Sequence, residues 1–161
     1  YQFNLLKDLA QQNGFIHYEV SNLAKEGYFS RHNTAYWKGI SYLGLGPAAH
    51  SFNGLKREWN PSSYVEWQSG LETGKPNVQG EVLDEITQFN EIILTRLRTI
   101  WGIDLKELSS RFDKKLVDQL LLNADKYLKE KKLVIKENHL LILSTDYFVS
   151  DGIIGDLIIV D

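Results

Sequence analysis

One short segment of the chain concentrates side chains that are able to hold a flat ligand or an iron atom. From Ser30 to Trp37 it reads Ser-Arg-His-Asn-Thr-Ala-Tyr-Trp, so an imidazole, an amide and two large aromatic rings lie close together. In a helix, residues four apart share a face, which would pair His32 with Tyr36 and Asn33 with Trp37. An imidazole beside aromatic walls suits a flat ligand or iron. The alternative is a packing role for both aromatic rings, since buried aromatic residues usually belong to a core.

A second stretch, Tyr42 to Ser51, combines glycines, a proline and two alanines with a histidine. Small residues at this density predict close approach of the backbone to a neighbour or a ligand. Gly44 and Gly46 resemble half of a dinucleotide-binding fingerprint, but the third glycine and the following helix are missing, so no dinucleotide site is predicted. His50 is interpreted either as a site residue or as a structural histidine.

Composition limits the function classes that remain. Hydrophobic residues make up 43% of the 161 residues and charged residues 24%, as in ordinary globular proteins. The net charge of -3 provides no broad electrostatic surface for nucleic acid. Cysteine is absent, which excludes disulfides, a thiolate nucleophile and a cysteine-ligated metal in this chain. No apolar run predicts a membrane span and no signal peptide is visible, so we expect a cytoplasmic protein. Methionine is also absent, which predicts a segment of a longer chain.

The elements that would position these side chains follow from periodicity. Apolar residues at helical spacing predict a helix from Gln2 to about Gln12, and a run of strand-forming residues over Phe15–Val20 predicts a strand. A helix, a glycine and a strand are typical of an α/β unit, so we expect this strand in a larger sheet. Residues 21–27 are predicted to form a loop or a short irregular crossing. Asn60 and Pro61 predict the N-cap and first turn of another helix.

The rest of the chain is more regular. Residues 73–76 are predicted to separate two regions, since glycine and proline interrupt the pattern there. Beyond them we expect a helix from residue 83 to about 100, a short helix after Asp104, a helix over 114–131, a β-hairpin over 133–143 and a last helix over 150–159. Three helices and a hairpin are the winged-helix order. The lysines of this second region are interspersed with carboxylates, so we do not predict nucleic-acid binding.

Three motifs in this order resemble a known family. Gly14–Ala24 resembles a late barrel strand of the oxygen-independent coproporphyrinogen III oxidase-like radical-SAM family. The His-Asn-x-x-Tyr-Trp segment followed by Tyr42–Ser51 resembles the HemW branch of that family, which comprises haem chaperones. The resemblance implies an α+β fold. Residues 1–76 would supply the last strands and helices of a partial (β/α) barrel, and residues 77–161 a helical, winged-helix-like C-terminal domain.

The resemblance also implies ligands. The family holds a [4Fe-4S] cluster and S-adenosylmethionine through a CxxxCxxC motif, which this chain lacks, so this segment itself is expected to bind no cluster. Two residues match positions near S-adenosylmethionine in related oxidases: Ala24 and His50. Four residues are implied in haem binding, the first as the axial iron ligand: His32, Asn33, Tyr36 and Trp37.

Two functions from different classes follow from the resemblance. The first is haem binding and delivery to acceptor proteins, which the HNxxYW motif favours. The second is the radical oxidative decarboxylation of porphyrinogen propionates, which general family membership favours. The implied partners are haem or a porphyrin, haem-acceptor proteins and, in a homodimer, a second copy of the chain. Neither nucleic acid nor an integral membrane segment is implied.

Overall fold

The computed structural model describes residues 2–160, which form two compact units: residues 2–38 together with 89–160, and residues 39–88. The elements up to the end of the second unit are α1 (Gln2–Gln12), β1 (Ile16–Glu19), β2 (Asn22–Ala24), α2 (Arg31–Trp37), β3 (His50–Phe52), β4 (Lys56–Trp59), α3 (Tyr64–Glu72) and β5 (Gln79–Val82). They are followed by α4 (Glu85–Arg96), β6 (Ile103–Asp104), α5 (Leu105–Arg111), α6 (Lys114–Lys129), β7 (Leu133–Lys136), β8 (His139–Ile142), a 3₁₀ helix (Ser144–Val149) and α7 (Ser150–Leu157).

The start of the first unit agrees with the sequence prediction in α1 and β1 but not in residues 21–27. The prediction is wrong for Asn22–Ala24, which form β2 and pair antiparallel with β1. Among the described residues β1 and β2 form a two-stranded sheet, next to which Glu19 makes one bridge to Thr99, and the larger sheet stays a prediction. A bulge between His17 and Glu19 breaks the alternation of faces, and it leaves both Tyr18 and Glu19 buried.

The remainder of the first unit is built around one hydrophobic core. Its sheet has the order β6-β8-β7, and Asp104 caps α5 by accepting from the backbone N–H groups of Lys106 and Glu107, as the sequence predicts. The predicted helix over 114–131 and the hairpin are confirmed as α6, β7 and β8, and the last helix as α7. The fully buried core side chains come from α4, α6, α7, all three strands of this sheet and the residue after α4, and include Phe89, Ile93, Leu97, Ile103, Leu120, Leu133, Leu140 and Leu157.

The second unit, residues 39–88, is a three-stranded antiparallel sheet of order β3-β4-β5 with helix α3. Close backbone approach is confirmed at Gly44, where an added Cβ would lie 2.2 Å from the His50 carbonyl oxygen. Strand β5 follows the region boundary predicted at 73–76. The sequence pattern did not predict this strand. It pairs with β4 from Lys56 to Trp59.

Two predicted helix ends are wrong. Helix α3 begins at Tyr64 with Ser63 as its N-cap, not at Asn60 and Pro61. Asn60 instead donates its side-chain amide to the carbonyl oxygens of Gly44 and Gly46, at 3.4 and 2.9 Å, so it stabilises the neighbouring loop. Helix α4 ends at Arg96 rather than near residue 100, because the chain turns there to run beside β1. The fold is therefore mixed helix and sheet, and no helix within residues 2–160 is long and apolar enough to cross a membrane.

Candidate functional site

The segment with the imidazole, amide and aromatic residues forms helix α2, so the four-residue spacing does place its side chains on shared faces. Ser30 begins α2 by accepting a hydrogen bond from the backbone N–H of Asn33 at 3.3 Å. This satisfies one of the N–H groups that the first turn of a helix leaves free. The helix then runs from Arg31 to Trp37, and Lys38 caps its C-terminal end.

The two faces of α2 have different surroundings. His32 and Tyr36 are exposed, and 46% of the surface of Tyr36 is accessible. Asn33 and Trp37 are half-buried and lie on the neighbouring face. The rings of Tyr36 and Trp37 meet edge to face with their centroids 5.1 Å apart, a favourable arrangement for aromatic pairs. An imidazole and a phenol are thus accessible to a ligand, beside an indole that is anchored inward.

An aromatic cluster supports the start and end of α2. The rings of Tyr18 and Phe29 stack with centroids 4.5 Å apart, and Trp101 packs within 6.1 Å of both. The Tyr18 hydroxyl accepts from the backbone N–H of Ser30 at 3.3 Å, next to the helix cap. At the other end, the Lys38 ammonium lies 4.9 Å from the centroid of the Trp101 ring. These contacts connect both ends of α2 to the same cluster.

Beneath the inner face of α2 lies the carboxylate of Glu19, a residue of the Gly14–Ala24 motif that the family resemblance does not place in a site. The Glu19 side chain is fully buried and accepts hydrogen bonds from the Ser21 N–H at 3.0 Å, the Ser21 hydroxyl at 2.8 Å and the Asn22 amide. Arg98 Nε lies 3.4 Å from its other oxygen. Such pairing is required, because an isolated buried carboxylate costs several kcal/mol.

These contacts decide the charge state of Glu19. Burial raises the pKa of its carboxyl, but hydrogen bonds from Asn22 and Ser21 and the positive charge of Arg98 lower it, and the pKa is below its ordinary value. The carboxylate is therefore ionised at neutral pH. Arg98 also donates to Asp151 at 2.6 Å, and its guanidinium carbon lies 5.8 Å from the centroid of the Trp37 ring.

A cleft of about 330 Å³ opens beside the C-terminal end of α2. Trp37 and Trp101 line it together with Arg96, Glu107 and His139. Arg96 and Glu107 pair through two hydrogen bonds of 2.6 and 2.8 Å. The Trp37 indole nitrogen is buried and has no hydrogen-bond partner among residues 2–160, which is unusual for a buried donor.

The two residues expected near S-adenosylmethionine lie in different compact units. Ala24 ends β2 and lines an open apolar pocket of about 320 Å³ with Phe15 and Tyr28. His50 begins β3, is exposed, and has its ring centroid 5.8 Å from that of Trp59. Their role toward this cofactor stays a prediction.

The residues of this chain do not fit an iron–sulfur cluster, because cluster ligation uses cysteine thiolates and the sequence contains none. Within residues 2–160, no group of three or more histidine and carboxylate side chains is arranged to hold a metal ion. A single exposed imidazole such as His32 remains suited to iron that a porphyrin already coordinates.

Glu19 lies in the Gly14–Ala24 motif and Arg98 in no recognised motif, and neither the motif nor residue spacing predicts that they pair. The available signal was a carboxylate between Tyr18 and Val20, in a strand otherwise rich in residues that favour burial. Their pairing joins residues far apart in the chain, so spacing could not predict it.

Comparison with known proteins relates this geometry to a family. The HemN C-terminal domain family matches residues 83–142. A heme chaperone HemW from Synechocystis is 34% identical over 108 residues, covering 65% of this chain and 26% of the relative. A mitochondrial radical S-adenosyl methionine domain-containing protein 1 from Bos taurus is 32% identical over 144 residues, 83% of this chain and 31% of that protein.

A solved structure has a similar fold. The coproporphyrinogen III oxidase HemN from Escherichia coli, described as a radical SAM enzyme, superposes with a TM-score of 0.71 over 96% of this chain and 39% of that chain, at 13% identity. The chain spans about a quarter to a third of the length of the relatives from Synechocystis and Bos taurus. Family match, relatives and fold agree: the chain belongs to the coproporphyrinogen III oxidase-like radical-SAM family, as a HemW-type C-terminal region.

Proposed function

We propose that the protein containing this chain binds haem and delivers it to acceptor proteins, with α2 supplying the haem site. The observation that carries this proposal is the accessible face of α2, on which His32 and Tyr36 are both exposed. Relatives at 34% and 29% identity, from Synechocystis and Bacillus subtilis, are named heme chaperones. An exposed site suits delivery, since haem must leave it for an acceptor.

In this proposal His32 would coordinate the haem iron through an imidazole nitrogen. The ring of Tyr36 would provide an apolar wall beside the porphyrin. Trp37 anchors this wall through its half-buried ring, and Asn33 orients the helix from the inner face. Haem supplies the iron chemistry, and this chain supplies the ligand, the apolar wall and the access route.

The wider architecture is proposed on the same family basis. Residues 1–76 would complete a partial barrel whose earlier strands, cluster and S-adenosylmethionine site belong to other parts of the parent protein, with Ala24 and His50 near that cofactor. Residues 77–161 would form a winged-helix-like domain, supported by the helix order α4, α5, α6 and the β6-β8-β7 sheet. We expect this domain to serve in packing or partner docking and not to read DNA.

The test of the haem site uses all four histidines of the chain. In the intact protein that contains this chain, His32→Ala should abolish or shift the haem Soret band and weaken haem binding. Thermal stability should change little, because an exposed imidazole contributes little to a core. His139→Ala is the matched control, since His139 lies at the start of β8 and its ring contacts a backbone oxygen of the hairpin turn.

An unchanged spectrum and affinity in His32→Ala would show that His32 is not the ligand. His50→Ala and His17→Ala then decide between the remaining imidazoles. Failure of the intact wild-type protein to bind haem at all would contradict the proposed function itself.

The second candidate function is oxidative decarboxylation of porphyrinogen propionates. The fold supports it, because the solved structure with a TM-score of 0.71 is named a coproporphyrinogen III oxidase. Anaerobic assay of the intact, cluster-loaded protein with coproporphyrinogen, S-adenosylmethionine, a reductant for the cluster and an electron acceptor for the substrate radical distinguishes the two functions. Product formation with no stable haem complex favours the oxidase, and a haem complex without decarboxylation favours delivery.

A further inference from the structure

The buried Glu19 carboxylate is connected to α2 by two separate chains of contacts. Through the first, Asn22 donates its side-chain amide to Glu19 and accepts a hydrogen bond of 3.4 Å from the Asn33 amide. Through the second, Arg98 lies 3.4 Å from Glu19 and places its guanidinium over the Trp37 ring. One ionised group thus acts on two residues of the same helix.

The spacing of Asn33 and Trp37 determines how these contacts constrain helix α2. Asn33 and Trp37 are four apart, so they lie one above the other on one face of α2. Contacts at both positions oppose rotation of the helix about its axis. If α2 rotated, His32 and Tyr36 on the neighbouring face would change direction with it.

The backbone around Glu19 and the Arg98 side chain are held in place by contacts with other elements. The Val20 N–H donates to the Arg98 carbonyl at 3.0 Å, and the Ile100 N–H donates to the Tyr18 carbonyl at 3.0 Å. Residues 98–100 therefore run antiparallel to β1. Asp151 of α7 holds the other side of Arg98 at 2.6 Å. Such outer contacts commonly orient a ligating side chain.

We propose that Glu19 is a positioning residue, which fixes the rotation of α2 through Asn22 and Arg98 and so directs His32 toward the haem iron. This inference rests on the proposed haem-binding function. It gives Glu19 no contact with haem; the carboxylate acts only through α2.

The experiment uses Glu19→Gln in the intact protein, which removes the charge at nearly constant volume. Haem affinity, measured by titration at the Soret band, should fall about 10- to 100-fold, as when the orienting partner of a ligand is lost. Arg98→Lys should act in the same direction, since an ammonium group cannot reproduce the fork that spans Glu19 and Asp151. Ser150→Ala is the stability control, because it removes a buried 2.8 Å hydrogen bond to the Tyr147 carbonyl and no contact with α2.

A double-mutant cycle separates positioning from general destabilisation. Glu19→Gln should weaken haem binding less in an Asn33→Ala background than in the wild type, since the two residues share one path to the ligand. Two results together would overturn the proposal. In the first, the effects of Glu19→Gln and Asn33→Ala on haem affinity are fully additive; in the second, Ser150→Ala lowers haem affinity as much as Glu19→Gln does.

Amide hydrogen exchange tests the inference independently of haem. Glu19→Gln should accelerate exchange in residues 31–38 more than in α6, whereas Ser150→Ala should not accelerate exchange in α2 beyond any change in α6. If the wild-type protein binds no haem, the proposed function fails and this exchange pattern still reports whether Glu19 holds α2. If haem binds and neither affinity nor exchange responds to Glu19→Gln, the positioning role is wrong.

Discussion

Residues 2–38 with 89–160 enclose a continuous core, whereas residues 39–88, all of which the structure describes, bury one large apolar side chain, Leu83. The second unit relies instead on backbone pairing in β3-β4-β5 and on side-chain hydrogen bonds in its loops, such as those of Asn60. Burial of apolar surface is the larger stabilising contribution in folding. The comparison indicates that the two units should respond to different kinds of substitution.

The sharpest test of this difference is truncation of an apolar side chain in each unit. Leu120→Ala, in the core on α6, should lower the free energy of unfolding by about 2–5 kcal/mol, since it leaves a cavity. Val82→Ala, at a residue of β5 that is 77% exposed, should change it by less than about 0.5 kcal/mol. Urea unfolding monitored by tryptophan fluorescence measures both. Equal losses would contradict the comparison.

The polar contacts of the first unit have a smaller expected effect, and one that depends on pH. Glu19→Gln should cost about 1–3 kcal/mol at pH 7, because charged hydrogen bonds to Arg98 and Asn22 are lost. The pKa of Glu19 is lower in the folded protein than the ordinary 4.5. Its contribution is therefore fully present above that value and is lost as pH falls through the folded pKa.

The measurement is urea unfolding of wild type and Glu19→Gln over a pH series from about 7 to about 3. The difference between the two proteins should shrink as the pH falls, and the variant should show the flatter profile. A difference that stays constant down to acid pH would show that the Glu19 charge does not contribute.

Two glycine substitutions, one in each unit, should change stability with opposite signs. Gly44→Ala should destabilise the second unit by about 1 kcal/mol or more, since the added Cβ would meet the His50 carbonyl at 2.2 Å. Gly152→Ala, inside α7 with open space around its Cβ position, should stabilise the first by about 0.5–1 kcal/mol. Thermal unfolding and limited proteolysis of residues 39–88 report the two outcomes, and shifts of the same sign would contradict the local-packing argument.

Most elements could be predicted from the sequence where one strong local signal existed. Helix α6 has apolar residues at helical spacing, and α5 has the Asp104 cap, so both were predicted within about two residues of their ends. Strand β5 was missed because its residues, Gln79 to Val82, are all exposed and carry no hydrophobic alternation. Ser63 and not Asn60 caps α3, and the Asn60 amide donates to the Gly44 and Gly46 carbonyls of the neighbouring loop.

The candidate site shows the same division. The residue types of the His32–Trp37 segment, their four-residue spacing and the resemblance to a family could be established from the sequence alone, because these are local properties of the chain. Which face of α2 is exposed, and that Glu19 and Arg98 meet beneath it, only the tertiary structure decided. A bulge in β1 turned Glu19 inward, and the chain after α4 returned to pair with that strand. Contacts between residues so distant in sequence depend on the folded path of the backbone, which local periodicity does not predict.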